Sequence, residues 1–169
     1  MIEYTVCEFF DNKNNPVKSN FVKINNCKHD FCELNHNGKS GVFHVINEKN
    51  IPENYIAIPF NIREFFEIDT ESESENGTEN GTENNTISVI LMKKIDKINS
   101  DVILDVKSEK NNGLMDDFDF DFVVKNKNFV FTPYVKYIHN VNERKYTFSI
   151  IDPFDAHYTF IKRVKSIIT

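Results

Sequence analysis

The chain has 169 residues, 40% of them hydrophobic, with sixteen Phe, six Tyr and no Trp, which is enough apolar material for one domain or two small subdomains. Its formal net charge of −6 argues against broad attraction to nucleic acid or to an anionic membrane surface. No apolar run approaches the roughly 20 residues of a membrane span, and the first residues, with Glu3 and Glu8 and no basic start, make a poor signal peptide, so the expected location is cytosol or nucleus.

Residues 1–11 alternate as a strand, with Ile2, Tyr4, Val6 and Glu8 set against Glu3, Thr5, Cys7 and Phe9. Asp11 to Pro16 reads as a turn, Phe21, Val22 and Ile24 as a short apolar run, and Asn35 to Gly38 as a second turn. The central stretch is Gly41 to Phe66. It predicts a strand covered on both faces, a turn at Asn47 to Asn50, a second extended segment at Tyr55 to Ile58, and a stop at Pro59. A short helix follows, with Asn61 as N-cap, Glu64 as its capping-box partner, and Ile62, Phe65 and Phe66 at helical spacing.

After Ile68 the composition changes. The segment DTESESENGTENGTENNT holds no apolar side chain, so it predicts a mobile insertion over about 69–86. Its N-x-S/T triplets at Asn76, Asn80 and Asn84 are by-products of the repeat. Strands resume at Ile87 to Leu91 and Val102 to Val106. Residues 107–128 mix helical and strand spacing around Phe118, Phe120, Phe122 and three aspartates, and read as a connector between subdomains. Later strands are expected at Tyr134 to Ile138, at Tyr146 to Ile150 and at His157 to Ile161. They are followed by a basic tail, Lys162 to Lys165, which is amphipathic more than a nucleic-acid patch.

The motifs exclude more than they assign. No phosphate-cradling glycine loop and no nucleophile elbow is present. Cys7, Cys27 and Cys32 are an odd set without a secretory signal, so reduced thiols are expected. Cys27, His29, Cys32 and His36 carry zinc-ligand chemistry in a spacing that matches no knuckle or finger, and small-residue packing is the simpler reading. His44, inside an apolar strand, reads as a core or interface histidine. His157 follows Asp152 and Asp155, but no nucleophile accompanies them. Asp116 to Asp121 lacks the glycine and terminal glutamate of an EF-hand, so it reads as a docking segment. No catalytic, cofactor or metal residue is assigned, and the expected fold class is β-rich α+β.

Ser40-Gly41-Val42-Phe43-His44-Val45, followed by Tyr55-Ile56-Ala57-Ile58-Pro59, is similar to the C-G-V-L-E-F strand and later Y-L-P of the ubiquitin fusion degradation adaptor family. Thr86 to Leu91 with Lys93-Lys94-Ile95 resembles that family's next strand and loop. Asn142 to Ile150 with Tyr158 to Ile161 resembles its N-E-K-x-Y-E-L-x-V hairpin and closing strand. The chain departs from the family at Ser40, where a cysteine is usual, at Lys93 to Lys97, where a proline turn is usual, and in the Asn-rich insertion.

The resemblance implies a double-psi β-barrel over residues 1–110 and a smaller α+β subdomain over 111–169. It implies a non-enzymatic module that binds ubiquitin or polyubiquitin and serves an AAA+ unfoldase in protein degradation. The family's C-terminal unfoldase-binding segment is expected to be missing, because the chain stops near the end of the folded region. The alternative is a β-rich structural or host-protein-binding protein of a parasite or virus, with Phe118 to Phe122 as docking strip.

Overall fold

The computed structural model describes residues 2–8, 19–68, 85–108, 123, 125–141 and 144–168. The turn expected at Asp11 to Pro16, residues 69–84 of the insertion expected over about 69–86, the strip Asp116 to Phe122, and Asn142 with Glu143 lie outside the described residues, while Thr86 already belongs to the next strand. The chain divides into two compact units, Met1–Ile95 and Asp96–Thr169.

Among its described residues unit 1 contains six strands, β1 (Ile2–Glu8), β2 (Phe21–Ile24), β3 (Phe31–His36), β4 (Lys39–Asn47), β5 (Tyr55–Ile58) and β6 (Thr86–Met92), with one helix, α1 (Phe60–Phe65). The strands close into a barrel in the order β1-β5-β2-β4-β3-β6, which leaves no sheet edge exposed. β1 runs parallel to β5 and antiparallel to β6, and β4 runs parallel to β2 and antiparallel to β3. β2 with β5 and β3 with β6 are antiparallel pairs. Exchanging β1, β2 and β3 for β4, β5 and β6 leaves this set of pairings unchanged. The barrel is therefore built from two halves of equivalent connectivity, each contributing three strands.

Alternation fills the interior. Val6, Val22, Ile24, Cys32, Leu34, Phe43, Ile56, Ile58, Ile87 and Val89 are all buried. β4 is buried at Gly41, Val42 and Phe43 in succession, so both of its faces are covered there, as its unbroken apolar run predicts. The β3–β4 hairpin turns on Asn37 and Gly38, with φ of 51° and 75°. Positive φ at both central residues of a two-residue loop matches the right-handed twist of the flanking strands, and Asn-Gly is the pair that adopts it most cheaply.

The start of α1 corrects one expectation. Pro59, with φ −67° and ψ 157°, is the N-cap residue, and no side chain caps the helix. The Pro59 carbonyl accepts from the Ile62 and Arg63 amides at 3.1 Å each, so the helix starts one residue before Asn61. Asn61 lies inside the helix instead, and its Nδ2 donates to the Ser19 carbonyl at 2.8 Å. The C-terminal end is held by the hairpin. Asn37 Nδ2 donates to the Phe66 carbonyl and Lys39 Nζ to the Phe65 carbonyl, each at 2.9 Å.

Unit 2 is a five-stranded sheet made of β7 (Asn99–Ser108), β8 (Val130–Phe131), β9 (Tyr137–Val141), β10 (Arg144–Asp152) and β11 (Thr159–Ile168), in the order β8-β11-β7-β10-β9. Here β7 corrects a second expectation. A boundary at residue 110 places it with the barrel, yet it pairs antiparallel with β10 and parallel with β11. Strand pattern alone cannot say which sheet a strand joins. A third correction concerns Tyr134, which begins no strand. It sits in a turn at φ 72°, where Val135 N donates to the Thr132 carbonyl, and β9 starts three residues later. The basic tail expected to follow a strand is itself part of β11.

One face of this sheet is buried. Val102, Leu104 and Val106 of β7 and Tyr146, Phe148 and Ile150 of β10 lie on it. Phe131, Tyr137 and Phe148 pack as an aromatic cluster, with ring centroids 5.0 to 5.8 Å apart. The buried Tyr137 hydroxyl accepts from the Thr132 amide at 2.8 Å, which satisfies that backbone donor. The other face carries Lys107 near Asp105 and Arg163 against Asp101. Among the described residues no helix is long and apolar enough to cross a membrane.

Candidate interaction surface

The barrel's outer wall carries one row of large side chains at a single register position. Phe21 on β2 lies opposite His44 on β4, His44 opposite Phe31 on β3, and Phe31 opposite Met92 on β6. Residues directly opposite one another in neighbouring strands share a face. Their neighbours Val22, Cys32 and Phe43 point inward and are buried, so the row points outward. All four side chains are half-buried. His44 stacks on Phe21, with centroids 4.7 Å apart and planes 20° apart, and tilts against Phe31 at 5.1 Å and 44°. The imidazole thus joins two phenyl rings into one aromatic strip about three strands wide, roughly 10 Å from first to last strand.

The next outward positions bracket the strip. Lys23 and Ile46 lie opposite each other on β2 and β4, and Glu33 lies opposite Ile90 across β3 and β6. Lys23 Nζ is 4.0 Å from Glu48, and Glu33 accepts from Asn35 Nδ2 at 3.1 Å. An aromatic centre with a mixed border, Lys23 and Glu33 beside Ile46 and Ile90, suits a protein-docking surface, where apolar area gives affinity and charged groups at the edge give register.

The other singled-out residues are placed as follows. Cys32 is buried in the barrel, where loss of solvent pushes its thiol far above the ordinary value, with Cys27 and Glu33 adding in the same direction. His36 lies four residues along the same extended strand, about 13 Å away by strand rise. Cys27 donates through Sγ to the His29 carbonyl at 3.5 Å. Extension of β3 keeps the set apart, and among the described residues no group of three or more Cys, His, Asp and Glu is arranged to hold a metal. Asp152 faces Lys165 Nζ at 3.9 Å, while Asp155 and His157 are exposed after the end of β10.

A second polar feature was not legible in advance. Arg63 of α1 is only 8% exposed. Burial pulls its guanidinium below the ordinary value, and Glu8 and Cys7 at the end of β1 oppose that pull. Burial likewise raises the Cys7 thiol against the opposing influence of Arg63. A charge at this depth is tolerated through such compensation, so the group is read as part of the α1 attachment.

His44 drew notice in the sequence as a histidine within an apolar strand. Phe21, Phe31 and Met92 did not, because each sits in an apolar run with no sign of which side chain faces out. A break in alternation, Phe21 beside Val22 and Phe31 beside Cys32, was the available signal. Comparison with protein-family models and with curated proteins finds no match to the chain.

Proposed function

We propose that this chain is a non-catalytic recognition module of the ubiquitin fusion degradation type, whose barrel is a double-psi barrel followed by a smaller α+β subdomain. The observation that carries the reading is the connectivity of unit 1. Six strands close with two parallel pairs, β1 with β5 and β2 with β4, related by the exchange of the first three strands for the last three. That two-fold relation is the connectivity a double-psi barrel requires. The similarity of Ser40 to Val45 and Tyr55 to Pro59 to the family pattern falls on β4 and β5 of this same barrel.

On this reading the partner is ubiquitin or polyubiquitin, and the strip formed by Phe21, His44, Phe31 and Met92 supplies the apolar contact. Burying apolar surface releases about 25 cal/mol per Å², so a strip of three rings supports a weak, reversible contact. Several ubiquitin units in one chain raise the effective concentration and convert weak contacts into useful avidity. The module acts as an adaptor to an AAA+ unfoldase in the cytosol or nucleus.

Titration of the isotope-labelled chain with ubiquitin and with tetra-ubiquitin tests the reading. Expected are chemical-shift changes at the Phe21, Phe31, His44 and Met92 amides, with tighter binding of the tetramer. No shift change at high micromolar ubiquitin overturns it.

A further inference from the structure

A cleft of about 560 Å³ opens in unit 2. Lys97, Lys127 and Lys162 line it with Asn99 and Asn128, and Val123 and Ile161 supply its apolar part. Among the described residues no carboxylate lines it. Elsewhere in the same unit basic side chains have acidic neighbours, since Arg163 meets Asp101 at 2.7 Å, Lys107 meets Asp105 at 3.5 Å and Lys165 meets Asp152 at 3.9 Å. Lys97, Lys127 and Lys162 form no ion pair among the described residues.

Three distant segments bring these lysines together. Lys97 precedes β7 and is held over the Phe160 ring, 5.7 Å from its centroid, by a cation–π contact. Lys127 and Asn128 form the turn before β8, where Phe129 N donates to the Asn126 carbonyl at 3.0 Å. Lys162 is the extra residue of a β-bulge. Ile161 pairs with Ser100 and Arg163 with Asp101, so Lys162 has no opposite residue on β7. A bulge re-aims a side chain out of strand alternation, and such bulges concentrate beside functional sites.

The net negative charge of the chain lies outside unit 2. Residues 69–84 hold six carboxylates and no basic residue, which equals the whole net charge of −6. Residues 96–169 are formally neutral, with eleven basic and eleven acidic side chains. A phosphate oxygen about 4 Å from a lysine ammonium gains about 1 kcal/mol even in water, and several lysines around one cleft add such contacts. Lysine serves as a point-charge ligand for phosphate, asparagine amides donate to phosphate oxygens, and the volume lies within the roughly 300–1,000 Å³ of small-molecule sites.

We infer that this cleft binds the linked phosphates of a polyphosphate or organic di- or triphosphate, with Lys97, Lys127 and Lys162 as counter-charges and Asn99 and Asn128 as amide donors. The inference is independent of the barrel and of ubiquitin binding.

Calorimetric titration of the full chain with inorganic tripolyphosphate and with ATP, metal-free and in about 0.15 M salt, tests it. One saturable site is expected. Lys127→Gln and Lys162→Gln each weaken it about tenfold, the loss of one charge-assisted contact, while Lys145→Gln on β10 does not change it. Tighter binding of ATP than of tripolyphosphate shows that Val123 and Ile161 receive the organic part, and equal affinity shows that the phosphate chain alone is read. Absence of saturable binding, or a Lys145→Gln effect as large as that of Lys127→Gln, overturns the inference. The three lysines are surface side chains, and circular dichroism of each variant verifies that the fold is kept.

Discussion

Phe21 and His44 stack across a parallel strand pair with ring centroids 4.7 Å apart, and this contact ties β2 to β4 on the outside of the barrel while Val22 and Phe43 are buried within. The same imidazole also meets Phe31, so one side chain bridges three strands. His44→Ala removes both ring contacts and is expected to cost about 1 kcal/mol of stability, whereas His44→Phe keeps them. On the ubiquitin reading, folded His44→Ala also binds ubiquitin about tenfold more weakly, as loss of a central aromatic contact does. Urea unfolding and ubiquitin titration of the two variants measure these effects. Unchanged affinity in folded His44→Ala takes the strip out of the binding site.

Gly38 isolates the energetics of the hairpin turn. A Cβ there would meet nothing within 4 Å, so only its φ of 75° resists a side chain. Gly38→Ala should cost about 1 kcal/mol through backbone strain, and Gly38→Asn less. Asn37→Ala should cost about 1–2 kcal/mol, since it gives up both tolerance of positive φ and the bond to the Phe66 carbonyl. Urea midpoints decide. A neutral Gly38→Ala would mean that the left-handed turn is not the populated conformation.

The pH dependence of stability should show two alkaline losses. Burial raises the Cys32 thiol above its ordinary 9.0 and the Tyr137 phenol above its ordinary 10.0. The unfolded chain releases each proton near the ordinary value while the native state retains it. Above that pH the unfolded state binds fewer protons, so stability falls as pH rises. The slope is about 1.4 kcal/mol per pH unit per group. The barrel should therefore weaken above about pH 9 and unit 2 above about pH 10. Cys32→Ala removes the larger part of the first loss, and the raised thiol of Cys7 keeps the remainder. Tyr137→Phe removes the second, while costing about 1–3 kcal/mol at neutral pH through the stranded Thr132 amide. Denaturant unfolding from pH 7 to 11, followed by probes in each unit, measures both. A flat profile for the barrel up to pH 10 contradicts a protonated, buried thiol.

Lys39 is expected to matter more for the end of α1 than its charge suggests. Its ammonium donates to the Phe65 carbonyl, lies 5.3 Å from the Phe65 ring centroid, and is 3.5 Å from Glu67. The ion pair is solvent-screened and contributes little, but the carbonyl bond satisfies a helix-terminal acceptor. Lys39→Met should cost about 0.5–1.5 kcal/mol, and Glu67→Gln should cost almost nothing. Faster hydrogen exchange at the Phe66 and Ile68 amides in Lys39→Met is the direct readout.

Local chemistry was legible where it acts locally. The alternation of Ile2 to Glu8, Ile87 to Leu91 and Tyr146 to Ile150 identified β1, β6 and β10, because the period of two belongs to the extended backbone itself. Pro59 ended β5, and Asn37-Gly38 made the hairpin, because both depend on dihedral preferences of one or two residues. Even there, the capping role given to Asn61 failed, since Pro59 already supplied the first helical carbonyl and Ser19 took the asparagine amide.

Pairing was decided only by tertiary structure. Nothing in β7 distinguishes a barrel strand from a strand of a second sheet, and its partners β10 and β11 lie some 40 to 60 residues further along. The same holds for the strip of Phe21, His44, Phe31 and Met92, and for the cleft of Lys97, Lys127 and Lys162. Residues on separate strands and turns come together only when register and closure are set by non-local burial. The sequence by itself determined which stretches are extended, where the chain turns, and that it carries enough apolar material for a core, which valine and isoleucine dominate. Barrel closure, the two-fold pairing of its halves and both candidate surfaces were decided by long-range packing, because the free energy that selects them resides in contacts no single stretch of chain contains.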